Sequence, residues 1–264
     1  MVVDFHTHCF PEKIAAKAME QLRLRSGILE PLHDGTVEGL VSLQRKGGVD
    51  YSVVLNIATN PNQQTNVNNF AISLKGVDGV VPFGSVHHES PDALSELERL
   101  AENGIKGVKL HPDYQEFYCD DDKMLPIYEK IGELGLVTVF HCGLDMGYPR
   151  PMHCDPKRLA SVLPSFGGAP VVAAHFGGLV AWDETEEYLV GTEIYLDTAY
   201  SYGMLPPKIA TPIIKAHGAD KILMGSDAPW SNPAHYVEFV DCLAISDEEK
   251  QAILGGNAQR LLGL

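Results

Sequence analysis

No Cys-x-x-Cys pair occurs among the five cysteines of this chain, Cys9, Cys119, Cys142, Cys154 and Cys242. An odd count without that spacing argues against both a disulfide framework and a thiolate zinc site. Any run of about 18 apolar residues is also missing, so no membrane span is expected. No basic n-region precedes the apolar run that starts at Val2, so no signal peptide is expected and the expected location is the cytoplasm. Basic residues are scarce: 20 Lys and Arg against 35 Asp and Glu leave a formal net charge of −15. Nucleic acids and anionic membrane surfaces need a basic footprint, so neither is expected as a partner. The Gly-x-Gly-x-x-Gly fingerprint is absent as well, which removes the support for a dinucleotide fold.

What is present reads as an ordinary globular chain. Its 264 residues are 45% hydrophobic and 21% charged, and α/β barrels of about 250 residues are commonly single domains. Short apolar runs alternate with helical patterns, the signature of a parallel sheet covered by helices. Eight strands are expected, at residues 2–6, 51–57, 79–86, 104–110, 136–141, 170–175, 193–197 and 221–226. They are rich in Val, Ile and Leu without strict alternation, as strands buried on both faces should be.

Helices fill the gaps. Residues 92–102 carry Leu94, Leu97 and Leu100 at three-residue steps, and residues 122–134 follow an acidic start. Gly104 and Gly135 end those helices. Ser246 and Glu249 form a capping-box pair for a last helix running toward Leu262. Two further helices, 12–25 and 36–46, fit the long connection after the first strand. Eight β/α units without an internal boundary predict a (β/α)₈ TIM barrel in one domain, residues 1–264, with extra helices after the first strand and at the C-terminus.

In such a barrel the chemistry sits at the C-terminal ends of the strands. Val2–His8 is an apolar run ending on two histidines, His6 and His8, one residue apart. On a strand such a pair shares a face about 7 Å apart, close enough for both rings to turn toward one ion. His141 ends the fifth strand, His175 the sixth, and Asp227 follows the eighth. Polar groups at an apolar barrel mouth cost free energy unless paired or metal-bound, so this gathering predicts a metal site.

The motifs Asp4-Phe5-His6-Thr7-His8 and Gly225-Ser226-Asp227-Ala228-Pro229, with the lone strand-end histidines, resemble the amidohydrolase superfamily. More narrowly, the chain is similar to the amidohydrolase-related branch that includes aminocarboxymuconate-semialdehyde decarboxylase and aromatic-acid decarboxylases. The closing residues Gly256 to Leu262 resemble that branch's terminal helix. The resemblance implies that His6, His8, His141 and Asp227 hold one divalent ion, zinc before manganese. It places His175 beside the metal-bound water, or among the ligands in two-metal relatives. Lys109-Leu110-His111-Pro112 resembles the dihydroorotase segment whose lysine is carboxylated and bridges two metals. An unmodified Lys109 that binds a substrate carboxylate or pairs with Asp227 is preferred here, with His111 as a further substrate contact.

Two reactions suit these residues. In hydrolysis, Asp227 accepts the proton of a water activated by the ion and His175 stabilises the developing oxyanion at an amide, ester or lactone carbonyl. In the alternative, a non-oxidative decarboxylase or hydratase, protonation of carbon replaces water attack, and Lys109 and Arg150 are the cations for the substrate carboxylate. The expected partner is a small molecule, with a homodimer as the commonest assembly for such an enzyme. Residues 142–155 and 112–121 are long for β/α connections and carry Tyr114, Phe117, Tyr118 and Tyr148, which suits lids or specificity elements. His87 and His88 are expected to end the third strand with one of them facing inward, and Trp230 to wall the pocket.

Overall fold

The computed structural model describes residues 1–27, 30–148 and 151–264. Eight parallel strands alternate with helices in the expected order: β1 (Val3–Thr7), β2 (Tyr51–Leu55), β3 (Val80–Phe83), β4 (Gly107–Leu110), β5 (Val137–Phe140), β6 (Val171–Ala173), β7 (Tyr195–Asp197) and β8 (Ile222–Leu223). The helices are α1 (Glu12–Ser26), α2 (Val37–Lys46), α3 (Gln64–Ser73), α4 (Ala93–Glu102), α5 (Leu125–Leu134), α6 (Pro156–Val162), α7 (Trp182–Tyr188), α8 (Pro207–His217), α9 (Pro233–Asp241), α10 (Asp247–Gln251) and α11 (Asn257–Leu262). The two extra helices after the first strand are α1 and α2. Among the described residues no helix is long and apolar enough to cross a membrane.

The chain divides into two compact units. The first comprises Met1–Val54, Gly76–Val81 and Leu196–Leu264. In it β1 pairs with β2, and β7 with β8. Phe5 donates to the Met224 carbonyl and His8 to the Ala228 carbonyl, both at 2.8 Å, so the β8 end runs alongside β1. The β1–β2 register shifts by one residue between Asp4 and Thr7, a bulge that brackets His6. Such a bulge re-aims the side chains it carries.

The second unit comprises Leu55–Lys75 and Pro82–Tyr195. Here β4, β5 and β6 pair in register, Gly107 opposite Val137 and Thr138 opposite Val171. Gly84 joins β4 through bonds to Gly107 and from Lys109. Tyr128, Phe140 and Phe166 pack as an aromatic trio beneath β5, with Tyr128 and Phe166 stacked at 4.6 Å. Beyond the strands, Gly143 and Leu179 form a parallel bridge that zips the connections after β5 and β6 together.

Three sequence expectations are corrected. The third strand stops at Phe83, because side chains of α3 take over the following backbone. Asn68 bonds both the N–H and the carbonyl of Ser85, and Gln64 accepts the His87 N–H. On α4, Leu94 is exposed and the buried stripe is Ala93, Glu96, Leu97 and Leu100. That stripe follows the i, i+3, i+4, i+7 pattern of a helix face rather than simple three-residue steps. The Ser246–Glu249 capping box is present, but the helix it opens passes through a π segment at Ala252–Gly256 before α11.

Candidate active site

In the first unit, β1 delivers His6 and His8, and the turn after β8 delivers Asp227. Their donor atoms lie within 4.8 Å of one another. His8 Nε2 is 3.1 Å and His6 Nε2 3.5 Å from the same Asp227 oxygen. Two ligand atoms that each stand about 2.0–2.1 Å from a tetrahedral ion are about 3.3 Å apart. Both histidine–Asp227 separations therefore match those of ligands sharing one ion. Asp227 is held at a φ of 68°, a left-handed backbone that is uncommon outside glycine and that clusters at functional sites.

Two buried carboxylates stand behind the triad; Asp197 escaped the sequence reading, and Asp4 entered it only as part of the histidine motif. Asp197, the last residue of β7, accepts from His6 Nδ1 at 2.8 Å and from the Ala199 N–H at 3.0 Å. With Nδ1 committed as the donor, His6 presents the Nε2 lone pair, the tautomer a metal ligand needs. Asp4 accepts from Gln44, from the His6 N–H and from both the N–H and hydroxyl of Ser226. Burial pushes the Asp4 carboxyl up to about 6 while these bonds pull it back down. Asp4 thus ties the β1 motif to the turn that carries Asp227.

In the second unit, His141 follows β5 directly and His175 lies two residues beyond β6. His141 Nδ1 and His175 Nε2 are 3.0 Å apart. The other nitrogen, His141 Nε2, is buried with no hydrogen-bond partner among the described residues; the nearest carboxylate oxygen, Asp145 Oδ2, is 3.9 Å away. Burial, reinforced by His111 and His175, holds His141 well below the usual histidine range, so its ring is neutral. A neutral, buried and orphaned ring nitrogen is what a metal ligand looks like before its ion is counted. His175 has a φ of 60°, and the Trp182 indole donates to its carbonyl at 3.2 Å. Trp182 therefore anchors the His175 backbone.

Lys109 and His111 are both buried, at 1% and 5% exposure, on the line of β4. His111 is flanked by two flat partners, Tyr114 at 4.0 Å and His141 at 4.1 Å. Its Nδ1 accepts the Tyr114 N–H, and its Nε2 is 3.3 Å from Asp145 Oδ2. His111, His141 and Asp145 form a second group with donor atoms within 4.8 Å. Asp145, four residues after His141, was not singled out from sequence. Arg150 lies outside the described residues. Trp230 donates its backbone N–H to the Asp227 carbonyl and so closes the turn behind that residue.

The two long connections are tied together. His153 Nδ1 is 3.2 Å from the buried Asp113, Cys119 donates to the His153 carbonyl, and Arg158 bonds both oxygens of Asp120. Burial pushes the Asp113 carboxyl up to about 6, with His153 opposing the shift.

A protein-family model for amidohydrolases matches residues 3–264. The chain belongs to the amidohydrolase family. Comparison with curated proteins gives no match. Among solved structures, a TIM-barrel protein from Bordetella bronchiseptica superposes with a TM-score of 0.78 at 20% identity, covering 99% of this chain and 98% of that one. A 5-carboxyvanillate decarboxylase from Sphingomonas paucimobilis gives 0.72 at 16% identity over 100% and 99%. A dihydroxybenzoic acid decarboxylase from Polaromonas, with bound manganese and 2-nitroresorcinol, gives 0.73 at 18% identity over 100% and 97%. The fold is the TIM barrel expected from the eight β/α units. Family and donor set together support an enzyme that works with a divalent metal ion.

Proposed function

We propose that residues 1–264 act as one catalytic domain whose divalent ion is held by His6, His8 and Asp227. The observation that carries this reading is the placement of two imidazole nitrogens at 3.1 and 3.5 Å from one Asp227 oxygen. His141 is a fourth proposed ligand, supported by the family resemblance and by its orphaned Nε2. Such an ion polarises a carbonyl or carboxylate oxygen and lowers the pKa of bound water. Zinc suits three imidazoles and one carboxylate, while manganese is the ion in the Polaromonas neighbour.

Around that ion the chain's own groups have distinct tasks. Asp197 keeps His6 in the ligand tautomer. Asp227 holds or moves the proton at the reacting atom. Lys109, unmodified, and His111 contact the substrate, with Arg150 as a further cation for it. Because His175 Nε2 faces His141 Nδ1, His175 orients that ring as well as serving the reacting centre.

Of the two expected reactions, non-oxidative decarboxylation of a small aromatic or unsaturated acid gains support from the named activities of two fold neighbours. There Asp227 would deliver a proton to the ring carbon as the bond to the carboxylate breaks and carbon dioxide leaves. Hydrolysis of an amide, ester or lactone is the second reading, favoured by the family's defining chemistry. The proposal has the chain working in the cytoplasm as a homodimer, without nucleic-acid or membrane partners.

The test uses protein stripped with a chelator and reloaded with zinc or manganese. It is assayed for carbon dioxide release from hydroxybenzoates and for hydrolysis of an amide, ester and lactone panel. One of the two activities should appear only with the ion and fall more than about 100-fold in Asp227→Ala. Substantial activity in that variant, or in the stripped protein, overturns the assignment.

A further inference from the structure

Past the end of β3, the chain turns sharply through His87, His88, Glu89 and Ser90. One ring nitrogen from each histidine and a carboxylate oxygen of Glu89 lie within 4.8 Å of one another. None of the three residues belongs to the machinery described above. We propose that this turn is a second transition-metal site, taking one borderline ion such as zinc, nickel or copper(II).

The turn is built rather than incidental. Gln64, buried on α3, accepts the His87 N–H at 2.9 Å and donates to the Ser90 hydroxyl at 3.0 Å. The Ser90 N–H closes on the His87 carbonyl at 2.9 Å, and the Glu89 N–H on His87 Nδ1 at 3.2 Å. A single buried amide thus clamps both ends of the segment that displays the donors. Preorganisation of that kind lowers the ordering cost of capturing an ion.

Both imidazoles are neutral, and sharing one ion requires one ring to turn out of their stack. The His87 and His88 rings stack at 4.7 Å, and the Phe117 ring meets His88 edge-on at 5.6 Å. Burial lowers both histidines, His88 to about 4, with Lys123 adding to the effect. Neutral rings therefore prevail at physiological pH, with no proton to displace. His88 Nδ1 is buried without a hydrogen-bond partner among the described residues, whereas Glu89 stands exposed and supplies the charge. An unmatched buried nitrogen beside a neutral imidazole and an anion is the chemistry a borderline divalent ion selects.

The ion would bind one ring nitrogen of His87. It would also satisfy His88. Carboxylate and imidazole ligands favour zinc, nickel or copper(II) over calcium or magnesium, which want oxygen cages.

The experiment is equilibrium dialysis of chelator-stripped full-length protein against zinc, with bound metal counted by mass spectrometry. Wild-type protein should bind two equivalents, and His88→Ala should bind one. In Asp227→Ala, which removes the ion of the proposed active site, the single remaining equivalent should disappear when His88→Ala is added. If the active-site reading fails instead, wild type binds one equivalent, indifferent to Asp227→Ala but lost in His88→Ala. Glu89→Gln alters only an exposed side chain and should weaken this ion by about 10-fold or more with the thermal melt unchanged. Copper(II) loaded into the Asp227→Ala protein should show two-nitrogen hyperfine structure. Zinc stoichiometry and affinity unchanged, within twofold, in both His88→Ala and Glu89→Gln overturn the proposal.

Discussion

Replacing Asp197 by asparagine isolates how a buried carboxylate governs His6, a proposed metal ligand. One Asp197 oxygen accepts from His6 Nδ1 at 2.8 Å and the other from the Ala199 N–H at 3.0 Å. Asparagine keeps the size but has a single oxygen, so it can serve only one of those donors. If its amide group faces His6, the imidazole must accept at Nδ1 and carry its proton on Nε2, the atom meant for the ion. If it faces Ala199 instead, a buried N–H loses its acceptor. Both residues are fully buried, so either arrangement costs about 1–3 kcal/mol. The first falls on ion binding and corresponds to about a 5- to 140-fold loss of affinity at 1.4 kcal/mol per tenfold. That range brackets the 10–100-fold typical of groups that orient a metal ligand. The assay is competition for zinc against a chromophoric chelator, with nitrogen NMR of His6 reporting the tautomer. Affinity within twofold of wild type, with His6 still protonated on Nδ1, would refute the reasoning.

Two further outcomes are expected. Gly143 has a φ of 88°, and a Cβ there would stand 2.1 Å from the Leu179 nitrogen. Gly143→Ala should therefore destabilise by about 2–3 kcal/mol, lowering Tm by roughly 5–10 °C in a circular dichroism melt; an unchanged melt would contradict the bridge to Leu179. Asp113 titrates near 6 in the folded chain against an ordinary value of 3.8. Its folded form keeps the proton to higher pH, so its contribution to stability is full below 3.8 and declines as pH rises to 6, by about 3 kcal/mol in all. Urea midpoints of wild type relative to Asp113→Asn should fall across that window; a constant difference from pH 3.5 to 7 would exclude it.

Much of the architecture could be read from the chain because its signals are local. Apolar runs of the right length announce strands, and the Ser246–Glu249 pair announces its helix within four residues. The donors His6, His8, His141, His175 and Asp227 were visible because each interrupts or ends such a run. What stayed hidden depends on distance along the chain. Asp197 closes a short strand and looks like any polar strand terminus, yet its partner His6 is 191 residues away. Asp4 looked like part of a motif, but its role is a bond to Ser226 across 222 residues. Trp182 and Asp145 carried no periodic signal, since their partners are a carbonyl and the ring nitrogens of histidines on neighbouring connections. Leu94 was misplaced for the opposite reason: three-residue spacing drifts around a helix, so the last member of a stripe does not fix the first.

The one-residue register shift in β1 makes the histidine motif less portable than its letters suggest. Transplanting Asp4 to His8 onto an unbulged strand of another scaffold would keep both imidazoles on one face but lose the re-aiming that the irregular pairing gives His6. Designers borrowing this centre would have to carry over the irregular pairing with Tyr51 to Val54 along with the ligands.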